Sequence, residues 1–249
     1  MIDTHCHVLS EYYDNIDEVI QSIKNAGVQK IIVNGTDMKS NKEVLELVKK
    51  YDIIYGAIGF QPTELDNFKD EDIKWLEKHL NDDKIVAIGE IGLDYHYNDT
   101  DKQLQQKVFK KQLELAAFYN KPIIVHSRDS IKDTYDMLNN YTLKGSIHCF
   151  SGSLEMAREF IKLGFYIGIG GVVTYKNAKN LINVINDISL EYILLETDSP
   201  YLTPEPFRGG DNSPEFIPII AKKIAEIKGI DLEKVEKITT DNANRLFDF

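Results

Sequence analysis

The sequence predicts a (β/α)8 TIM barrel, one domain over residues 1–249. Three observations carry that expectation. Short apolar runs of strand length alternate with longer amphipathic stretches of helical period along the chain. The runs are β-branched or apolar throughout, as in strands covered on both faces, and each connection is long enough to return the chain for parallel pairing. Eight such units in about 250 residues match the size of this barrel. An open, doubly wound sheet is the structural rival, but no Gly-x-Gly-x-x-Gly turn follows the first strand.

The elements follow in order. Ile2 to His5 reads as strand and the amphipathic stretch from Ile16 to Ala26 as helix; KIIVNG is the second strand and Asn41 to Tyr51 its helix. IIYGAIGF and KIVAIGE are the third and fourth strands, with helices from Asp70 to Leu80 and from Lys102 to Tyr119. PIIVH, SIHCF, FYIGIG and YILLE supply four more strands. Their helices are Ile131 to Leu138, Leu154 to Leu163, Ala178 to Ile185 and Ile217 to Ile227, with a final helix from Leu232 to Phe247.

With 29 Lys and Arg against 40 Asp and Glu, the net charge of −11 argues against nonspecific coating of duplex nucleic acid. It leaves room for a local site that meets phosphate with bound cations. No apolar run is long enough for a bilayer, and the N-terminus lacks the order of a signal peptide, so a cytoplasmic protein without membrane contact is expected. Cys6 and Cys149 form no disulfide framework; each reads as a small, reduced, buried residue turned away from the histidine beside it.

The potential ligands are not scattered over this map. His5 and His7 end the first strand, with side chains on one face about 6.6 Å apart along the backbone. Glu90 ends strand four, His126 strand five, His148 lies near the end of strand six, and Asp198 follows strand eight. In a barrel all of these ends surround one mouth, so distant residues converge there. A carboxylate after an apolar strand, as at Asp198, is costly to bury unless a cation or several donors meet it. Each ligand also has a bland reading: Glu90 as a loop carboxylate, His126 as a helix cap, His148 as a satisfied core residue. His79, late in a charged helix, reads as surface, where a cation suits the helix dipole. His96, in the loop after Glu90, is a candidate substrate contact, and the glycines of YIGIGG read mainly as packing.

Four imidazoles and two carboxylates form a mixed nitrogen and oxygen set suited to zinc, manganese or similar divalent ions, whereas magnesium prefers oxygen. Six ligands exceed the needs of one catalytic zinc. Two ions sharing a carboxylate would use them all, and such pairs activate water and clamp the oxygens of a displaced group. No redox or group-transfer motif is present, and no Gly-x-Ser-x-Gly elbow, so hydrolysis is the expected chemistry. Arg128 and Arg208 fall in loops at the expected mouth, where a guanidinium can grip phosphate or pair with a nearby acid.

DTHCH, GEIGLDY, VHSRDS, IHCFSG, ETDSPYLTP and the RGGDNSP segment occur in that order along essentially the whole chain. With these six motifs the sequence resembles the TatD family of metal-dependent deoxyribonucleases, within the amidohydrolase-like barrels. The resemblance implies a binuclear site, with His5, His7, Glu90 and Asp198 on one ion and Glu90, His126 and His148 on the other. Glu90 would be the bridge, and Asp198 would orient the nucleophilic water and act as general base. It further implies cleavage of DNA, at single-stranded regions or ends and from the 3′ end, with RNA a further substrate. The cofactors would be two ions of Zn, Mn or Mg, and a monomer is expected. There is one departure: after the third strand the family reads glycine, any residue, histidine, proline, whereas GFQP places Gln61 at the histidine position. Its amide can still bond a phosphate oxygen but cannot carry a proton or charge. Two rivals keep the same site, one a hydrolase of a small ester, lactone or cyclic amide, the other a structural metal site on a binding protein.

Overall fold

The computed structural model describes residues 1–97, 99 and 101–249. Eight strands pair in parallel in sequence order, β1 (Ile2–Cys6), β2 (Lys30–Asn34), β3 (Ile54–Ile58), β4 (Ile85–Asp94), β5 (Ile123–Arg128), β6 (Gly145–Ile147), β7 (Phe165–Ile169) and β8 (Ile193–Leu195). Helices α1 (Ile16–Asn25), α2 (Met38–Lys50), α3 (Asp70–His79), α4 (Lys102–Tyr119), α5 (Ile131–Leu138), α6 (Leu154–Lys162) and α7 (Lys179–Asp187) fill the crossovers. Two further helices, α8 (Ile217–Lys228) and α9 (Leu232–Phe247), follow β8. The fold is the expected (β/α)8 barrel.

The β1 to β8 seam closes the barrel with bonds that also serve its mouth. Thr4 Oγ1 donates to the Leu195 carbonyl at 3.0 Å, the Asp198 N–H to the His5 carbonyl at 2.9 Å, and the His7 N–H to the Ser199 carbonyl at 2.7 Å. Buried Asp3 adds a side-chain staple, accepting from the Thr197 N–H at 3.1 Å and from Thr197 Oγ1 at 2.5 Å. Strand alternation sorts the apolar residues into two sets. Ile31, Val33, Ile54, Ile123, Ile167 and Ile193 pack against the surrounding helices. Ile2, Ile32, Val86, Ile124 and Leu194 instead meet Leu246 and Phe247 of α9. The chain's end thus covers the amino-terminal end of the barrel, where Phe249 also packs on Tyr55, and the carboxyl end is left for the site.

Local chemistry accounts for where the elements begin and end. Asp37 caps α2 through a reciprocal box with Ser40, so that helix starts at Met38, earlier than its apolar period indicates. Asn15, Asp101 and Ser153 cap α1, α4 and α6. The fourth strand continues past Glu90 to Asp94, because the pairing of β4 with β5 persists as far as Asp94 opposite Arg128. Gly92, whose sequence context suggests a turn, lies inside this strand at φ +148, and a Cβ there would fall 2.0 Å from the His126 carbonyl oxygen. By contrast, β6 stops at Ile147, before His148 and Cys149. Three short 3-10 turns, Gly171–Thr174, Leu190–Tyr192 and Pro214–Phe216, have no counterpart in the sequence reading.

Cys6 is buried in the core as expected. Cys149 corrects its expectation: with φ at 44 it has left the strand, so alternation no longer turns it away, and it lines the cavity at the mouth. His79 is half-buried rather than a free surface cation. It stacks on Trp75 at 4.3 Å, and burial followed by repulsion from Lys78 lowers its pKa. Among the described residues, no helix is long and apolar enough to cross a membrane.

Gly92→Ala forces a side chain against the His126 backbone in a conformation that L residues avoid. We expect the unfolding free energy in urea to fall by about 1–3 kcal/mol or more. Unchanged stability would mean that the two strands part there easily.

Candidate metal centre

Six side chains from five strand ends meet at the carboxyl mouth, and Glu90 sits at their centre. Its Oε2 lies 3.5 Å from both His5 Nε2 and His7 Nε2, while its Oε1 lies 2.9 Å from His126 Nδ1 and 3.1 Å from His148 Nε2. One carboxylate therefore faces two separate pairs of imidazoles. Asp198 joins the first group, with Oδ1 3.4 Å from His5 Nε2 and 3.5 Å from His7 Nε2. Its backbone is left-handed, φ 57, a conformation that aspartate tolerates better than most residues and that concentrates at functional sites.

These spacings suit a divalent cation. With bonds of about 2.1 Å, the ligand atoms of a tetrahedral zinc lie about 3.4 Å apart. His5 Nε2 and His7 Nε2 are 3.2 Å apart, and their four contacts with Glu90 and Asp198 span 3.4 to 3.5 Å. The second triad of Glu90, His126 and His148 is tighter, its two nitrogens 3.1 Å apart. Neighbouring contacts prepare two of the imidazoles. Asn34 offers its carbonyl to His7 Nδ1 at 3.0 Å, and Asp94 its Oδ2 to His126 Nε2 at 2.9 Å. Each acceptor holds the ring proton on the outer nitrogen and turns a lone pair inward, as partners of metal-bound histidines do. His7 thus presents Nε2 and His126 presents Nδ1.

A lone pair on His126 Nδ1 facing a carboxylate oxygen 2.9 Å away is repulsive unless a cation intervenes. The proton affinities record the same demand. Burial opposes charge on His5, but the Asp198 and Glu90 carboxylates outweigh it and lift the imidazole well above its ordinary value. Burial likewise works against ionised Glu90, yet His148, His126 and His5 pull it well below the usual carboxylate range, and His5 and His7 do the same for Asp198. A divalent ion supplies that positive charge more compactly than ring protons on His5 and His126.

Three buried acids outside the expected set, Asp3, Glu196 and Asp94, stand behind the candidate ligands. Asp3 also accepts the His5 N–H at 3.1 Å, fixing the backbone between the two histidines, and burial above all raises its pKa to about 7. Glu196 lies inside the barrel, where its Oε1 accepts the Cys149 N–H, and burial raises it to about 8. Room for it comes from Gly168, where a Cβ would fall 2.3 Å from Glu196 Oε2; this explains one glycine of YIGIGG. Asp94 was missed because the strand was expected to end at Glu90. In a strand continued to Asp94, even spacing places both acids on one side, and both reach His126 at 2.9 Å.

The cavity over this cluster measures about 610 Å³ and is lined by Gln61, Arg128, Tyr97, Tyr12 and Tyr201, besides the ligands. Gln61 Oε1 accepts from the Thr63 N–H at 2.7 Å and from Thr63 Oγ1 at 2.6 Å, which leaves its NH2 as the end free for a guest. Two expected substrate contacts are not among the described residues lining the cavity. His96 pairs with Asp129 at 2.8 Å, and Arg208 lies over the Tyr175 ring at 4.1 Å, beside Glu205.

The family model described as TatD related DNase matches residues 2–248. An uncharacterized metal-dependent hydrolase of Bacillus subtilis, YabD, is 42% identical over 251 residues, covering 99% of this chain and 98% of its own. The crystal structure of YjjV, a TatD homologue from Escherichia coli K12, superposes with a TM-score of 0.95 at 33% identity, covering 100% of this chain and 98% of that one. An organophosphorus hydrolase from Deinococcus radiodurans, at 16% identity and a TM-score of 0.71, covering 99% of this chain and 92% of its own, shares the fold.

Titrating metal-stripped protein with Zn2+ or Mn2+ in a calorimeter should register two ions per chain. Asp94→Asn should weaken the ion that His126 helps to hold by about 10–100-fold and leave the other unaffected. A single binding event in the unaltered protein contradicts the paired arrangement.

Proposed function

We propose, for a chain that belongs to the family of TatD-related DNases and is a metal-dependent hydrolase, that its reaction is the hydrolysis of phosphodiester bonds at the ends of DNA strands. The observation that carries this reading is the divided carboxylate of Glu90, with one oxygen toward His5 and His7 and the other toward His126 and His148. Residues so placed fit two divalent cations: one held by His5, His7, Glu90 and Asp198, the other by Glu90, His126 and His148. When bound, such a pair supplies Lewis acidity to phosphoryl oxygens and makes water a nucleophile near neutral pH.

The chain's own groups do the rest. Asp198 turns Oδ1 toward the histidines and is partly open to the cavity, so its carboxylate can take a proton from water approaching the phosphorus. Arg128, on the cavity wall, has a planar fork suited to nonbridging phosphate oxygens. Gln61, oriented by Thr63, offers an N–H to substrate but no transferable proton, so an oxyanion leaving group must take its proton from solvent or another side chain. The body is acidic, with a net charge of −11, so substrate is gripped locally at the mouth and long duplex is not attracted to the surface at large.

Purified protein loaded with Mn2+ or Mg2+ should shorten end-labelled single-stranded DNA progressively, and EDTA should abolish the reaction. Asp198→Asn should lower kcat by about 10²–10⁴-fold, the range for loss of a general base. Hydrolysis of small lactones, esters or cyclic amides with no cleavage of DNA or RNA under any metal would assign the same site to carbonyl chemistry instead.

A further inference from the structure

Seven large apolar or aromatic side chains are exposed among the described residues, and four of them, Tyr12, Tyr97, Tyr201 and Leu202, line the one cavity above the candidate ligands. Exposed apolar residues scattered singly need no explanation, but a cluster at a site does. Tyr201 is 49% exposed, yet it is held firmly. Its N–H donates to the Asp198 carbonyl at 2.9 Å, its carbonyl accepts from Asn212 Nδ2 at 2.5 Å, and its hydroxyl donates to Tyr12 Oη at 3.0 Å. The Tyr12 and Tyr201 rings meet edge to face at 5.8 Å, and Tyr201 stands 6.3 Å from the ring of His7. A rigid aromatic surface therefore begins one ring away from the ligand cluster.

The same cavity is also lined by polar groups: Arg128, with its guanidinium 5.7 Å from the Tyr97 ring, and the Gln61 amide. A cavity lined by both asks for a guest that joins a flat apolar face to an anionic group, which describes a nucleotide. A volume of about 610 Å³ holds a small-molecule-sized segment and not a duplex. The geometry points to Tyr201 and Tyr12 as a stacking wall for an unpaired nucleobase beside the scissile phosphate. The wall makes a single-stranded end the preferred substrate, because a paired base would first have to leave its stack. This inference rests on the nuclease reading above and adds to it the residues that select the strand end.

Steady-state kinetics on the metal-loaded full-length protein test it, using one single-stranded DNA oligonucleotide and two copies lacking either the terminal or the penultimate base. Tyr201→Ala should raise KM for the intact strand about tenfold or more with kcat little changed, and should leave KM unchanged for one of the two abasic strands. Tyr12→Ala, altering a different segment, should show the same substrate dependence, and Tyr201→Phe should stay near the unaltered protein. Equal losses on all three strands, or no loss on any, overturn the stacking wall while the nuclease reading stands. If the unaltered protein cuts none of the strands, the nuclease reading falls, and the stacking wall falls with it.

Discussion

Glu90 is a buried carboxylate at the centre of a cluster of six candidate ligands, itself included, and the cost of burying it governs the mouth of this barrel. An ionised acid removed from water is tolerated only where opposite charge and hydrogen bonds replace its hydration. Here four imidazoles surround it, and Asp198 adds a second negative charge within 3.5 Å of two of them. The remaining polar architecture answers to this demand. Asn34 and Asp94 direct lone pairs inward, Asp3 fixes the backbone between the first two histidines, and Gly92 in β4 lets its neighbour strand come close enough for His126 to reach. Taking one charged member away leaves the others unbalanced, so the cluster behaves as a unit.

The barrel was legible because each strand is a compact apolar run and each crossover carries a helical period, signals that do not depend on distant contacts. The mouth was legible for a related reason: parallel strands deliver their carboxyl ends to one place, so His5, His7, Glu90, His126, His148 and Asp198 converge whatever the details of the loops. What escaped were features set by partners remote in sequence. Pairing with β5 carries β4 on to Asp94, and no local pattern in GEIGLDY announces it. Cys149 was placed on the wrong side because alternation was extended two residues past the end of β6.

Loop side chains were the least readable. Arg208 and His96 lie in loops that flank the mouth, and position alone made them plausible substrate contacts. In the structure the arginine lies over Tyr175 and the histidine pairs with Asp129. Gln61 shows the converse. The sequence marks it as a departure from the related histidine, but only the two bonds from Thr63 tell which end of its amide is free. Identity is a sequence property, whereas orientation belongs to the neighbourhood.

The seam between the first and last strands has a further consequence. Asp198 is bonded through its N–H to the carbonyl of His5, so the cluster is assembled across the seam from the first and last strands. During synthesis no emerging fragment that stops short of β8 can complete the set. A half-made polypeptide is therefore denied the full set of six side chains, and a cation gripped across the seam would act on the finished chain as a reversible crosslink, holding its first and last strands together as loop-closing clips do.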